Sequence, residues 1–470
     1  MEELLEVSKK NRKIFDPIYG LITLTPIEWE IIHSPFYQRL RWIKQLGFSC
    51  YVFPGAEHSR FGHSIGVMHN CHRILQSCQL AVSEECLTKA YENGKAAIFN
   101  QELRLAALMH DLGTFPFSHT IEGAYIRYAK MQKIKGAQNH EDLGQHIIKN
   151  TYFPNGISEI LTKYKMDPNK IASLVTGNSK SVFANQVLHS EIDCDRMDYL
   201  LRDAHYTGLR YGSYDRDYLL NHFVKVDVPQ GPILAIKENA LHCVEDFLMA
   251  RFTWYGQVIR SQRGAKFDFL AEEIYTHFLS RNYCYSFDEL MDMVIKNPNK
   301  FYQFNDSYFI EKLFEYQAAT NKKKDPKIVE LCKILTSNQS SENIKYMDFN
   351  HCLLDQDDIM GNQKAIHKVN EKLEKIEAKI KKRGNPADWI LKDIPTKNIV
   401  FVKSLKSMVR DKSTQNLLLE RDPVKILCDD GSVKLLAQME NSIIGRLQNV
   451  YSFTPNAYCS SSVKELMKEF

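Results

Sequence analysis

The chain is poor in glycine and proline, with 21 and 15 of 470 residues. That excludes fibrous, collagen-like and wholesale disordered architectures, in which the two together exceed roughly a quarter of the chain. It has little net charge, +4, so no bulk field draws it to nucleic acid or to a membrane, and any such binding must come from local patches. No apolar run approaches the roughly 18 residues of a membrane-crossing helix. The first twenty residues open with acids and lack the apolar core of a signal peptide. These absences predict a soluble, cytoplasmic protein with no membrane partner. None of the 11 cysteines forms a CxxC pair. Cys71, Cys78, Cys194 and Cys243 sit among apolar neighbours, so neither a disulfide scaffold nor a zinc finger is expected.

The glycine signatures of phosphate-binding loops, GxxxxGK[ST] and GxGxxG, are missing, as is the GxSxG nucleophile elbow. Asp193-Cys194-Asp195 begins like a calcium loop. Its sixth position is Asp198 instead of glycine and its twelfth is Ala204 instead of glutamate, which rules that reading out.

What is present is helical periodicity from about residue 26 to 320. The stretch 101–112 carries Leu105, Leu108 and Leu112 on one stripe and is predicted to stop at Gly113 in a left-handed cap. A second helix is predicted to open at Pro116 and Ser118, and a third to follow Asn139 as its N-cap, with Leu143 and Ile147 inward. Residues 320 to 362, with Lys322-Lys323-Lys324 and a polar run at 337–341, read as an inserted or mobile segment. In 362–383, Ile366, Val369, Leu373, Ile376 and Ile380 are spaced 3, 4, 3, 4, with eight Lys/Arg against three Glu. This predicts an amphipathic helix that packs on its own body or on another subunit, with a basic rim able to face a polyanion. Beyond Pro395 the runs shorten. Residues 424–428 and 433–436 flank an Asp-Gly turn and predict a hairpin, followed by a helix near 441–447. The expected fold is mostly α: a helical catalytic core over 1–320, an inserted segment with the basic helix over 321–395, and a small α+β C-terminal subdomain over 396–470.

Histidine and aspartate carry the chemistry. His58, Arg60 and His63 lie in EHSRFGHSIGV, His110-Asp111 in ALMHDLGTFPFSH, and His119 and Glu122 one turn apart just beyond. His140 lies in NHEDLG and Asp195 in SEIDCDRMDYLLRDAHYTG. Imidazoles and carboxylates without thiolates suit an open divalent site of the Mn, Fe, Co, Ni or Zn kind, and an open site is a hydrolytic one. His69, His72, His146, His205 and His242 are read as structural or surface residues.

In order and context these words resemble the HD-domain phosphohydrolase superfamily. They are closest to its deoxynucleoside triphosphate triphosphohydrolase branch, of the sterile-alpha-motif-and-HD-domain type, here without the sterile alpha motif. FDPIYGLITL, SPFYQRLRWIKQLG, YVFPGAEHSRFGHSIGV, HDLGTFPFSHTIEG and HSEIDCDRMDYLLRDAHYTG carry the likeness over residues 14 to 275. The resemblance implies that His63, His110, Asp111 and Asp195 hold a divalent metal, with Mg also in the family's range. It implies that His119 is the general acid, oriented by Glu122, with His140 in the same neighbourhood. It further implies that Arg60, Arg196 and Arg251 contact phosphate and that Gln45, Tyr199 and Asp203 surround the sugar. The implied partners are a nucleoside triphosphate, released as nucleoside and triphosphate, and further copies of the chain in a homo-oligomer. The implied setting is control of nucleotide pools or antiviral and anti-phage defence.

The departures carry expectations of their own. Thr114 stands where the family has a histidine that serves phosphate or a second metal. Ile259 and Ser261 replace a tyrosine and a histidine beside the sugar, which predicts weaker sugar selectivity. His33 replaces an aspartate that reads an activating guanine, although Gln38 and Arg41 match, so guanine activation is not implied. Two other readings stay open: a phosphodiesterase or nuclease guided by the basic helix along single-stranded nucleic acid, and a nucleotide-sensing regulatory module.

Overall fold

The computed structural model describes residues 12–82, 95–136, 138–319, 324–337, 344–349, 351–355, 358–385, 388–394, 399–401 and 417–466. Most of it is helical. The helices that build the site are α1 (Arg60–Ser77), α2 (Lys95–Met109), α3 (His119–Gln132), α4 (His140–Asn150) and α5 (Cys194–Thr207). Around them lie α6 (Leu241–Trp254), which runs on through a π-helical turn at Tyr255–Ile259, then α7 (Gln262–Ser280), α8 (Asp306–Ala318) and α9 (Pro326–Ser337). The basic helix is α10 (Ile359–Arg383).

Local signals set several ends. Asn139 caps α4 by accepting from the Asp142 amide at 2.9 Å, as its residue type predicts. Asp193 caps α5 through the Arg196 amide at 2.8 Å, and Gly208, at φ 72°, closes that helix in the left-handed conformation. The expectation at Gly113 is corrected. The helix ends earlier, at Met109, and Gly113 is not among the positive-φ residues. Glycine is needed there because a Cβ would lie 2.1 Å from the His140 carbonyl and 2.3 Å from the Gly144 amide, where α4 crosses. The following helix begins at His119, not at Pro116. Phe117 (φ 50°) and Ser118 (φ 57°) are both left-handed just before it.

Among the described residues, twelve strands form small sheets. β1 (Arg12–Asp16) and β2 (Gly20–Leu24) are an antiparallel hairpin. β3 (Phe223–Val228) and β4 (Gly231–Lys237) form a second hairpin. β5 (Lys345–Asp348), β6 (Cys352–Asp355), β7 (Ile390–Asp393) and β8 (Ile399–Val400) precede β9 (Lys425–Leu427), β10 (Val433–Leu435), β11 (Val450–Phe453) and β12 (Asn456–Cys459). The hairpin read from the Asp-Gly turn is present, with Val433 opposite Leu427 and Leu435 opposite Lys425. It extends the core hairpin into a sheet ordered β10-β9-β4-β3. The other sheets run β6-β11-β8 and β5-β12-β7.

The three-part division expected from the sequence does not follow this pairing. Strands at 345–355 and 390–393 pair with strands at 450–459 across the expected boundary. Within the segment read as an insertion, α9 buries Ile328, Leu331, Cys332, Ile334 and Leu335 in the main core. Lys322, Lys323 and most of the polar run lie outside the described residues. The α10 seam faces the chain's own strands: Val369, Leu373 and Ile376 are buried with Phe349, Tyr451 and Phe453 in a second, smaller core. That packing accounts for Val369, Leu373 and Ile376, covers Ile380 in part and leaves Ile366 exposed.

Candidate active site

Three elements converge at the centre. α1 supplies His63, the turn after α2 supplies His110 and Asp111, and α5 supplies Asp195 with Asp198 one turn further on. The His63 Nδ1 lies 2.7 Å from Asp198 Oδ2. Asp198 is gripped in turn by Arg202, at 2.8 Å from Nε and 2.9 Å from the second nitrogen. The His110 Nδ1 lies 2.8 Å from the Ala107 carbonyl. With each Nδ1 committed as a donor, both rings turn Nε2 inward with a lone pair to offer.

Those nitrogens face carboxylates. His63 Nε2 is 3.0 Å from Asp195 Oδ1 and 3.8 Å from Asp111 Oδ2, and His110 Nε2 is 3.5 and 3.8 Å from Asp111 Oδ2 and Asp195 Oδ1. Both Nε2 atoms are buried and make no hydrogen bond of proper geometry. Two anchored imidazoles and two carboxylates are a donor set for a divalent ion of the Mn-to-Zn series. The electrostatics agree. Burial alone would lower His63, but Asp195 and Asp198 outweigh it and push it up to about 9. Burial likewise raises Asp111, yet Arg60, His110 and His63 hold it well below the carboxylate range. Asp111 and Asp195 are thus both held as anions, the form that binds a cation.

A second group adjoins it. Glu122 accepts His119 Nδ1 on one oxygen and His140 Nδ1 on the other, both at 2.6 Å, and takes the His140 amide at 2.8 Å. Burial raises Glu122, but the two imidazoles hold it far below its usual range, and Glu122 raises His140 against its own burial. His119 is the exposed member, with 67% of its side chain accessible. His110, His140, Glu141, His189 and Asp195 line one cavity of about 90 Å³, so both groups open onto the same space.

The residues assigned to substrate fall into two sets. Gln45, Tyr199 and Asp203 are linked through His58 and Trp254. The Gln45 backbone N–H donates to the His58 carbonyl at 2.9 Å, His58 Nε2 meets Asp203 Oδ1 at 2.8 Å, and Trp254 Nε1 donates to Asp203 Oδ2 at 3.1 Å. Trp254 also stacks on Tyr199 at 4.6 Å between ring centroids. Gln45 Oε1 is buried without a hydrogen-bond partner. The arginines are engaged within the chain. Arg60 donates to Ser118 Oγ and to Asp111 Oδ2 at 2.9 and 2.8 Å. Arg196 pairs with Asp193 and donates to the Ser190 carbonyl, and Arg251 donates to the carbonyls of Glu191 and Phe401. Thr114 is buried and donates to Asp111 Oδ1 at 3.1 Å, so it orients a carboxylate where the family's histidine would serve phosphate.

Sequence reasoning passed over Asp198, whose signal was its spacing: Asp195, Asp198 and Arg202 stand at i, i+3 and i+7 on one helix. It also left His58, the partner of Asp203, without a role.

The HD domain family matches residues 60–203, the span that carries His63, His110, Asp111 and Asp195. Among curated relatives, the Bacillus subtilis protein YwfO, named as uncharacterized, is 35% identical over 252 residues, 53% of this chain and 52% of that one. The Bos taurus deoxynucleoside triphosphate triphosphohydrolase SAMHD1 is 31% identical over 246 residues, 45% of this chain and 38% of that one. The chain thus spans about half, or less, of the length of these relatives. A solved phosphohydrolase from Bacteroides thetaiotaomicron shares the fold, with a TM-score of 0.65 at 19% identity over 96% of this chain and 100% of that one. Among the described residues no helix is long and apolar enough to cross a membrane.

Proposed function

We propose that the chain is a metal-dependent phosphohydrolase that cleaves (deoxy)nucleoside triphosphates to nucleoside and triphosphate, a reaction suited to control of nucleotide pools. The observation that carries this reading is the pair of buried Nε2 atoms on His63 and His110, both turned toward Asp111 and Asp195. When bound there, a divalent ion supplies positive charge to a phosphoryl group and acidifies water. His119 then acts as the acid that protonates the leaving 5′-oxygen, with Glu122 holding its Nδ1 and so fixing the ring. His140 shares Glu122 and extends the positive field toward Asp111. Gln45 Oε1, an unpartnered buried acceptor, suits a sugar hydroxyl as donor. The likeness to SAMHD1 supports a triphosphate substrate.

The test is incubation of the full chain with each nucleotide and with single-stranded DNA in the presence of Mn, Co or Mg, with products identified. Elemental analysis of Asp195→Ala belongs beside it. Release of nucleoside and loss of metal from the folded variant are expected. Full metal occupancy in Asp195→Ala would contradict the ligand set.

A second reading, a nuclease, is supported by the way charge divides on α10. At 100° per residue, Lys364, Lys368, Lys372, Lys375, Lys379 and Lys382 share one flank and Glu371, Glu374 and Glu377 the other. A lysine every four residues advances about 6 Å along the axis, a track suited to phosphates. Shortened DNA among the products, with an affinity that falls steeply with salt, would favour it.

A further inference from the structure

Between the metal-facing Asp111 and the proton-donating His119 the chain runs through a turn, 110–118, that belongs to no helix and holds two left-handed non-glycine residues, Phe117 and Ser118. Such conformations persist only where the surroundings over-determine them. Two buried charged side chains supply the partners, and both lie outside the span that the HD family matches. Arg39, 2% exposed, donates to the carbonyls of Leu112 at 2.8 Å, Thr114 at 2.9 Å and Phe304 at 2.7 Å. Asp306, the first residue of α8, accepts the Phe117 amide on Oδ1 at 2.6 Å and the Lys44 amide on Oδ2 at 3.0 Å. The turn is therefore held at its middle by a cation and at its end by an anion. Asp268, on α7, takes Thr120 Oγ1 at 2.7 Å one residue beyond His119.

The held turn is wired to the site. Ser118 Oγ donates to the Lys44 carbonyl at 2.6 Å and accepts from Arg60 Nε at 2.9 Å, and the other arm of Arg60 reaches Asp111 at 2.8 Å. A shift at Phe117 thus moves both the partner of Asp111 and the start of the His119 helix.

We infer that Arg39 and Asp306 are positioning residues, which fix the 110–118 turn and with it the placement of His119 relative to Asp111. The inference rests on the function proposed above for its effect on turnover. Burial pushes Asp306 up to about 7 against two amide donors, and pulls Arg39 down to about 9 with Asp306 opposing. Neither group sits there at ease in water's terms, which fits residues kept for geometry.

The test uses the full chain with Asp306→Ala, Asp306→Asn and Arg39→Met. Val463→Ala, in the second core, serves as a control of comparable lost stability. Hydrogen exchange read by mass spectrometry should show peptides covering 110–118 exchanging at least ~10-fold faster in Asp306→Ala and Arg39→Met, and unchanged in Val463→Ala. Calorimetry with Mn²⁺ should show ~10-fold weaker binding in Arg39→Met, whose released carbonyls flank Asp111. Binding in Asp306→Ala should stay within about threefold. For turnover, kcat in Asp306→Ala should fall ~10- to 100-fold at nearly constant KM, since small misplacements of a catalytic group cost that much. Asp306→Asn, which keeps an acceptor for Phe117, should recover most of it. If Asp306→Ala fails to fold, the Asn and Arg39→Met variants carry the same comparison. Unchanged exchange over 110–118 in the variants, or a kcat loss matched by Val463→Ala, would overturn the inference. A natural protein that turns over no nucleotide would refute the proposed function instead, and the exchange and Mn²⁺ measurements would still judge the positioning role.

Discussion

Replacing Gly66 with alanine sets two effects of opposite sign against each other. Gly66 lies inside α1, where alanine is favoured by about 1 kcal/mol on helix propensity. A Cβ there, however, would sit 1.8 Å from Asp198 Oδ1 and 2.6 Å from an Arg202 nitrogen. Neither neighbour is a free side-chain end. Asp198 is fully buried and tied to both His63 and Arg202, and Arg202 also reaches Asp16 at 2.9 Å. Relief requires the carboxylate to retreat by about 1 Å or more, which costs roughly 1–3 kcal/mol as overpacking and approaches ~3–5 kcal/mol if the buried pair breaks. Packing should win, with a net loss of about 2–4 kcal/mol in urea denaturation without added metal. His63, released from Asp198, should bind Mn²⁺ ~10- to 100-fold more weakly. Gly123→Ala is the control: its Cβ meets only the Glu272 carboxylate end at 3.1 Å, so it should be neutral or slightly stabilising. A Gly66→Ala protein that is as stable as the natural one and binds Mn²⁺ normally would refute the reasoning.

Loss of the proton donor in His119→Ala should lower turnover by ~100-fold or more while metal content and KM hold; metal loss, by elemental analysis, would make His119 a ligand instead. On the placement beside the sugar that the resemblance implies for residue 259, isoleucine offers an apolar surface and no hydrogen bond, so kcat/KM for a deoxyribonucleotide and its ribo counterpart should differ modestly, and Ile259→Tyr should widen the gap. Strict deoxyribose selectivity in the natural protein would contradict this. Lys425 is buried, which brings it down to about 7 from 10.5. The folded state therefore binds that proton less readily than the unfolded chain, and stability falls as pH drops from about 10 to 7 and is flat below. Lys425→Met should remove this slope in denaturation measured across that range; an unchanged slope would sink the assignment.

The cluster proposed to hold metal was legible in the sequence because its members sit in short words whose order survives: His63 on one helix, His110-Asp111 at the end of another, Asp195 on a third. The residues that fix those ligands were less legible. Asp198 could be found from its spacing, but the grip of Arg39 on the carbonyls of Leu112 and Thr114, and of Asp306 on the Phe117 amide, joins positions 73 to 189 residues apart. Gly113 looked like a helix cap because glycine serves both φ and close approach, and only the crossing of α4 shows which applies. The 320–395 region looked detachable because its strands find their partners at 450–459, beyond the reach of local periodicity. The seam of α10 was visible, while the surface it covers was not.

The most direct test of the central claim is the identity of the phosphorus product. With a deoxynucleoside triphosphate and Mn²⁺, ³¹P NMR should show inorganic triphosphate appearing in step with free deoxynucleoside, and no such signal in Asp111→Ala. Pyrophosphate or orthophosphate with a nucleoside phosphate as the primary products, or equal triphosphate release by Asp111→Ala, would contradict it.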